Sequence, residues 1–429
     1  MFPDFQYLFE SLFGAPMPAW LSILKTFGFF VAMAFIAAAW TLALELKRKE
    51  EQGLLVPQFK EIEIGKPASI NELIWFGLLG FILGLKVGGF WGHAAEISPN
   101  PLGYLFSAKG NILVGIIGAL TLAYIRYNEK KRKQLPEPEI KEVAIHPHER
   151  VADIVFIAAA AGLVGAKIFN ALETWDDFLR NPAENLLSSS GLTFYGGLIF
   201  ATASLYYYSR KNKINFRHLC DAAAPGLMLA YGIGRFGCHF SGDGDWGIYN
   251  SAYVTQPGTT ILKAAQPGDF AHALYASGIN YQTVPAAYVK APTWLPDWIV
   301  AMNYPHNVGG EGIAINGCTG NYCKVLEVGV FPTSMYEAIT CILLFCVLWF
   351  LRKRIKYALH LFGIYLILNG IERFLIEKIR VNYKYNWYFI HATQAEIISS
   401  LLIIAGICLL LFYKKKDEIV SERVKINDA

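Results

Sequence analysis

The run Gly234-Arg235-Phe236-Gly237-Cys238-His239-Phe240-Ser241-Gly242-Asp243-Gly244-Asp245-Trp246-Gly247 follows directly on an apolar span, Leu219 to Tyr231. A guanidinium near the end of a membrane helix, leading into a glycine-rich acidic turn, is costly to place in hydrocarbon. Such charge faces a bundle interior and marks a site. Glycine lets backbone approach a ligand closely. Arginine grips a phosphate through two parallel hydrogen bonds. The chemistry that this run could perform is the handling of an anionic lipid head group.

A second set lies far along the chain. Asn369, Arg373, Glu377 and Arg380 follow i, i+4, i+8 and i+11, so they share one helical face. An intrahelical ladder of ion pairs accounts for Glu377 and Arg380. Arg373 lies deeper and reads as functional. Glu337 follows Phe331-Pro332-Thr333-Ser334-Met335-Tyr336 where a further apolar span begins, and Thr193-Phe194-Tyr195-Gly196-Gly197 opens another. Asp243-Gly244-Asp245 lacks the spaced oxygen ligands of a calcium loop, so no metal is expected there. Cys238 reads as a packed thiol. Cys318 and Cys323, in a hydrophilic loop, are candidates for a local disulfide if that loop lies outside the cytoplasm.

These residues need a membrane scaffold to position them. Hydrophobic residues make up 54% of the chain and charged residues 17%, and the mean hydropathy is +0.34. That excludes a soluble globule and predicts an all-α polytopic membrane protein. Windows long enough to cross hydrocarbon fall near 20–44, 72–92, 110–126, 152–171, 192–209, 219–238, 334–351, 357–376 and 395–413, which is about nine helices. Lysine and arginine cluster in alternate connections: 47–49, 130–133, 210–217, 352–354 and 414–416. The positive-inside rule then predicts an outer N-terminus and a cytoplasmic C-terminus.

The same pattern divides the chain. An N-terminal segment and first span occupy 1–52. An inserted module with two membrane helices and charged cytoplasmic segments occupies 53–150. Core helices fill 151–240 and 333–413. Between them, 241–332 reads as an irregular or β extracytoplasmic cap, and 414–429 as a cytoplasmic tail. With this topology Arg235 is carried about 24 Å from the cytoplasmic start of its helix. Asn369, Glu372, Arg373, Glu377 and Arg380 reach a similar depth, and Lys167, Asn170 and Glu337 join them at the outer side.

At these residues the chain resembles the bacterial prolipoprotein diacylglyceryl transferases. The likeness is strongest over 219–247, through Asp221, Pro225, Gly234-Arg235, Gly242 and Trp246-Gly247. It continues in Pro332-Thr333, Tyr336-Glu337, Gly363 through Arg373-Phe374, Glu377 and Gln394, with echoes at Phe27-Gly28 and Gly165-Ala166-Lys167. The resemblance implies a seven-helix core in the plasma membrane, to which the 72–126 pair is an addition. It implies transfer of the diacylglyceryl group from phosphatidylglycerol to the lipobox cysteine of preprolipoproteins, giving a thioether and glycerol phosphate without a cofactor. Arg235 and Arg373 match the family's two essential arginines, and its signature acid falls on Asp243 or Asp245. Cys238 and Ser241 occupy positions where asparagine is usual. Tyr195 replaces the histidine of a His-Gly-Gly motif, so a histidine base cannot be carried over. Asn369 replaces an aromatic residue.

The expected site therefore comprises Arg235, Arg373, Asp243, Asp245 and Tyr195 as catalytic residues. Gly196, Gly197, Cys238, Ser241, Gly247, Glu337, Asn369 and Glu377, with Arg235 again, are expected to bind substrate. Arg235 and Arg373 would clamp the phosphate, and Asp243 or Asp245 would orient an arginine, bind head-group hydroxyls or accept the thiol proton. Two rival classes use the same residues: a phospholipid or anion transporter, which inverted repeats would favour, and a lipid-binding membrane scaffold.

Overall fold

The computed structural model describes residues 1–413 apart from 91, 93–96, 98–103, 106, 188–190, 382–383 and 388–389. The expected tail at 414–429 lies outside the described residues. Each predicted window falls on a helix. The helices are α1 (Thr26–Glu51), α2 (Ile70–Gly89), α3 (Ile112–Arg132), α4 (Val151–Glu173), α5 (Phe194–Lys211), α6 (Phe216–Ser241), α7 (Thr333–Leu351), α8 (His360–Glu377) and α9 (Gln394–Phe412).

Among the described residues, six of these are long and apolar enough to cross a membrane: α1, α2, α3, α4 with its preceding turn, α7 and α9. The expected count of nine is thus met on apolarity by six only. The reason is physical: α5, α6 and α8 carry polar and charged side chains such as Arg210, Asp221, Arg235, Glu372 and Arg373. Large apolar side chains stay exposed along the spans, among them Trp40, Leu113, Leu120 and Leu343. Water would penalise that surface and hydrocarbon does not, so the protein is a multi-pass membrane protein.

Contacts divide the chain into two units. The first comprises 1–17, 24–49 and 217–422, with 414–422 outside the described residues. Here glycines set the helix spacing. A Cβ on Gly232 of α6 would meet the Ala338 carbonyl oxygen of α7 at 3.0 Å, and one on Gly406 of α9 would meet the Gly363 carbonyl oxygen of α8 at 2.5 Å. Small residues permit such close crossings. Ala224, Met228, Cys341, Leu348 and Leu361 form the apolar core between α6, α7 and α8.

The segment expected to be irregular or β contains a four-stranded sheet. Its central strand β3 (Tyr249–Thr255) pairs antiparallel with β4 (Leu262–Ala264) and β6 (Val328–Val330), and parallel with β5 (Ala286–Ala287). A short helix, Asp269–Ala276, was not expected from the sequence; its Leu274 packs on Val254 and Val328. Cys318 and Cys323 form a disulfide.

The second unit comprises 18–23 and 50–216, with 423–429 outside the described residues. The connectors of the inserted module are strands here: β1 (Gln58–Ile64) pairs antiparallel with β2 (Glu139–Ile145), Gln58 opposite Ile145 and Ile64 opposite Glu139. The charged segments carry no period-two apolar alternation that would have marked them as strands. Between the strands, α2 and α3 cross at Gly80 and Gly118, where an added Cβ would lie 2.3 Å from the facing carbonyl oxygen.

Candidate active site

The site of the first unit begins at its far end, with a buried carboxylate. Asp221, on α6, accepts hydrogen bonds from the backbone N–H groups of Leu359 and Phe362 at 2.8 and 2.9 Å. These are orphan donors at the N-terminus of α8, where a carboxylate also meets the positive end of the helix dipole. Leu359 itself is in the left-handed region (φ 63°), which turns the chain into the helix. Asp221 therefore locks the start of α8 to α6. Arg235 lies fourteen residues beyond Asp221, and Arg373 fourteen beyond Leu359. At 1.5 Å per residue both guanidinium-bearing positions are about 21 Å from the lock. Equal helix lengths from a common tie bring two sequence-distant arginines to one level.

There they meet on Glu337, just past the first turn of α7. Its side chain has 0% exposure. Arg235 Nε lies 2.5 Å from Glu337 Oε2, and Arg373 Nη1 donates to Glu337 Oε1 at 2.8 Å. Arg380 Nη1 lies 3.7 Å from the same Oε1. Arg235 and Arg380 also pair with Asp245, one on each carboxylate oxygen. Arg373 pairs with Glu377 one turn on, at 3.1 Å. Three guanidinium groups are thus interleaved with Glu337, Asp245 and Glu377. The Arg235 guanidinium lies over the Tyr231 ring, 5.3 Å from its centre, which fixes its plane.

The loop after α6 is held by Gly247. Its N–H donates to the Phe331 carbonyl at 2.8 Å, and it forms a bridge with Arg380. A Cβ there would stand 2.6 Å from the Ile379 carbonyl oxygen and 2.8 Å from Thr333 Cγ2. Only glycine allows the segments carrying Asp245, Glu337 and Arg380 to approach so closely. Thr333 Oγ1 adds a bond to the Asp245 carbonyl at 3.0 Å.

Most expected residues come together here. Arg235, Arg373, Asp245, Glu337 and Glu377 form the cluster. Cys238 is buried with its Sγ 3.9 Å from Arg235 Nη1, and Asp243 Oδ1 accepts from the Asp245 N–H at 3.3 Å. Ser241 is buried and donates to the Cys238 carbonyl at 3.3 Å. Asn369 is half-buried on α8, one turn before Arg373. Glu372 is buried beside it, and among the described residues neither of its oxygens has a hydrogen-bond partner.

Tyr195, Gly196 and Gly197 lie on α5, in the second unit. Gly196 packs so closely on α4 that a Cβ would stand 2.4 Å from the Gly165 carbonyl oxygen, and one on Gly197 would be 3.0 Å from that of Gly162. Helix packing by itself accounts for both glycines. In the same unit Lys167 donates to the Asn185 carbonyl at 3.1 Å.

Sequence reasoning misplaced Arg380, which pairs outside its own helix rather than along a ladder, and missed the capping role of Asp221. A lone aspartate early in an apolar span was the available signal for the second.

The two loop carboxylates differ. Asp243 is exposed overall, yet desolvation of its carboxyl raises it above its ordinary range. Burial acts on Asp245 in the same sense, but Arg235 and Arg380 outweigh it and hold that carboxyl below its ordinary range. Cys238 Sγ and one oxygen from each aspartate lie within 4.8 Å of one another. Two guanidinium groups already neutralise Asp245, so the arrangement suits an anion held by arginines better than a metal ion held by acids.

Residues 110–412 match the family model described as prolipoprotein diacylglyceryl transferase. Among similar proteins are three named phosphatidylglycerol–prolipoprotein diacylglyceryl transferase. That of Dehalococcoides mccartyi is 24% identical over 65% of this chain and 83% of its own length. That of Leptospira interrogans is 24% identical over 70% and 87%, and that of Clostridium novyi 25% over 70% and 88%.

Proposed function

The chain belongs to the prolipoprotein diacylglyceryl transferase family and is a transferase, and from that premise we propose that it moves the diacylglyceryl group of phosphatidylglycerol onto the lipobox cysteine of preprolipoproteins. The observation that carries this reading is the meeting of Arg235 and Arg373 on one buried carboxylate, Glu337. A lone buried guanidinium has many structural uses. Two from different helices, set on opposite oxygens of a shared acid, form a preorganised cradle for a phosphate.

In the proposed step, the cysteine sulfur bonds to the glycerol carbon as that carbon's bond to the phosphodiester oxygen breaks. The electron pair leaves on glycerol phosphate. Negative charge gathers there, within reach of Arg235 and Arg373. One fixed donor of this kind is typically worth about 2.7–4 kcal/mol of barrier. The thiol must lose its proton to become a nucleophile. Asp243, whose carboxyl is raised, suits proton acceptance, whereas Asp245, clasped by two arginines, suits orientation. Glu337 and Glu377 hold Arg235 and Arg373 in place. Tyr195 is proposed as a head-group contact from its sequence position.

The reading places the protein in the bacterial plasma membrane with its N-terminus outside, its C-terminus in the cytoplasm and its site toward the outer leaflet. Alternating basic connections support that orientation. The Cys318–Cys323 disulfide, expected in an oxidising compartment, supports an outer location for 241–332.

The test is thioether formation from phosphatidylglycerol and a lipobox peptide in detergent, with Arg235→Lys beside the parent protein. The parent is expected to form product, and the lysine variant to lose most of it, because an ammonium cannot reproduce the bidentate fork. Lipid binding without product would favour a transporter or scaffold instead. Near-normal turnover by the lysine variant would refute the clamp.

A further inference from the structure

We propose that Glu50, His146 and His148, in the second unit, form a binding site for a divalent transition-metal ion of the zinc class. Glu50 lies 96 residues before His146, which one residue separates from His148, and all three are well away from the arginine cluster along the chain. His146 Nδ1 is 2.6 Å from Glu50 Oε1, and His148 Nδ1 is 3.3 Å from Glu50 Oε2. One ligand atom from each residue lies within 4.8 Å of the others. Bonds of about 2.1 Å in a tetrahedron put ligand atoms about 3.4 Å apart, so the constellation needs only a small adjustment to enclose an ion.

Local structure explains why these atoms converge. Strand pairing sets Ile145 opposite Gln58, which returns the chain beside the segment that leaves α1 at Glu50. Pro147 then occupies the first position of a short 3-10 turn. The rings stand 5.4 Å apart and 32° from parallel, both with Nδ1 toward the same carboxylate. The nearby cation does not take this role: Arg150 turns to Asn212 and Gln58, at 2.6 and 2.9 Å. Each Glu50 oxygen faces one imidazole.

Two imidazole nitrogens and one carboxylate suit a first-row ion such as zinc, rather than calcium or magnesium, which prefer oxygen. All three side chains are part-exposed, so water can complete the coordination. Such an ion would clip together two points separated by 96 residues, closing the base of the inserted module. The inference is independent of the transferase reading.

The experiment uses the full chain, without a polyhistidine tag, in detergent. The protein is stripped with chelator, exposed to zinc sulfate and desalted. About one zinc per chain should be retained, falling at least about tenfold in a His146→Asn, His148→Asn double variant whose metal-free thermal midpoint stays near that of the parent. Cobalt loading of the parent protein should give visible ligand-field absorption that zinc abolishes, a reading that needs no variant to fold. Failure of the parent to retain zinc, equal retention by the double variant, or cobalt bands that are absent or indifferent to zinc would each overturn the proposal.

Discussion

Glu337→Gln is the sharpest perturbation of the cluster, because it removes one charge and almost no volume. Glu337 is fully buried and receives Arg235 at 2.5 Å and Arg373 at 2.8 Å. The hydrogen bond from Arg373 to this charged group contributes about 1.5–3 kcal/mol, and Arg235 adds an ion pair to the other oxygen. The glutamine keeps one carbonyl acceptor, which recovers about half of one bond, and turns an N–H₂ toward the other guanidinium. A net loss of about 3–5 kcal/mol results, in the range for breaking a buried ion pair from one side. Catalysis suffers through geometry. If one guanidinium swings out of line with the leaving phosphate, the barrier rises by about 2.7–4 kcal/mol, or about 100- to 1000-fold in rate. The assay is thioether formation at varied phosphatidylglycerol, so that kcat and KM are read separately, with a thermal midpoint for folding. The loss should fall chiefly on kcat, and Glu337→Asp, which retains the charge, should restore part of it. Turnover of the glutamine variant within about threefold of the parent, at unchanged KM, would refute the idea that Glu337 sets the arginines for catalysis.

Other outcomes follow from neighbouring contacts. Asp221→Ala strands two part-buried N–H donors at the start of α8 and should cost about 2–4 kcal/mol, read as a lowered midpoint together with reduced turnover; unchanged turnover would separate the helix tie from the site. Gly247→Ala forces a Cβ against the Ile379 carbonyl and should destabilise by about 1–3 kcal/mol, checked by thermal unfolding. Cys238→Ser should retain substantial activity, since the substrate supplies the nucleophile; complete loss with intact folding would point instead to a covalent role for this thiol. The Asp245 carboxyl, held below its ordinary value of 3.8, contributes stability that is present above that pH and is lost as acid takes the solution through its lower folded value. Midpoints measured across that acid range should fall less steeply for Asp245→Asn than for the parent, and matching slopes would contradict the assignment.

What could be read from the chain beforehand was what periodicity and the cost of burial encode. Apolar runs marked every helix window, and Arg235 and Arg373 stood out because guanidinium in hydrocarbon demands a reason. Relations between distant segments were not legible. Asp221 caps a helix through Leu359, 138 residues later, and a local pattern does not carry that fact. Glu337 looked like an acid at a helix start until three arginines were seen around it. Arg380 fitted an i, i+3 ladder with Glu377, but the helix ends at Glu377 and the following turn redirects the side chain to Asp245. The strands β1 and β2 were hidden because both faces carry charge.

The carboxylates around the arginines have a consequence for how the site would be loaded and cleared. Because Glu337, Asp245 and Glu377 already pair with the guanidinium groups, an arriving phosphate would share those cations with resident acids rather than meet bare charge. Its hold would then be weaker than the full pull of three cations. That keeps the lipid from sticking and lets glycerol phosphate depart while the acids keep the arginines in line.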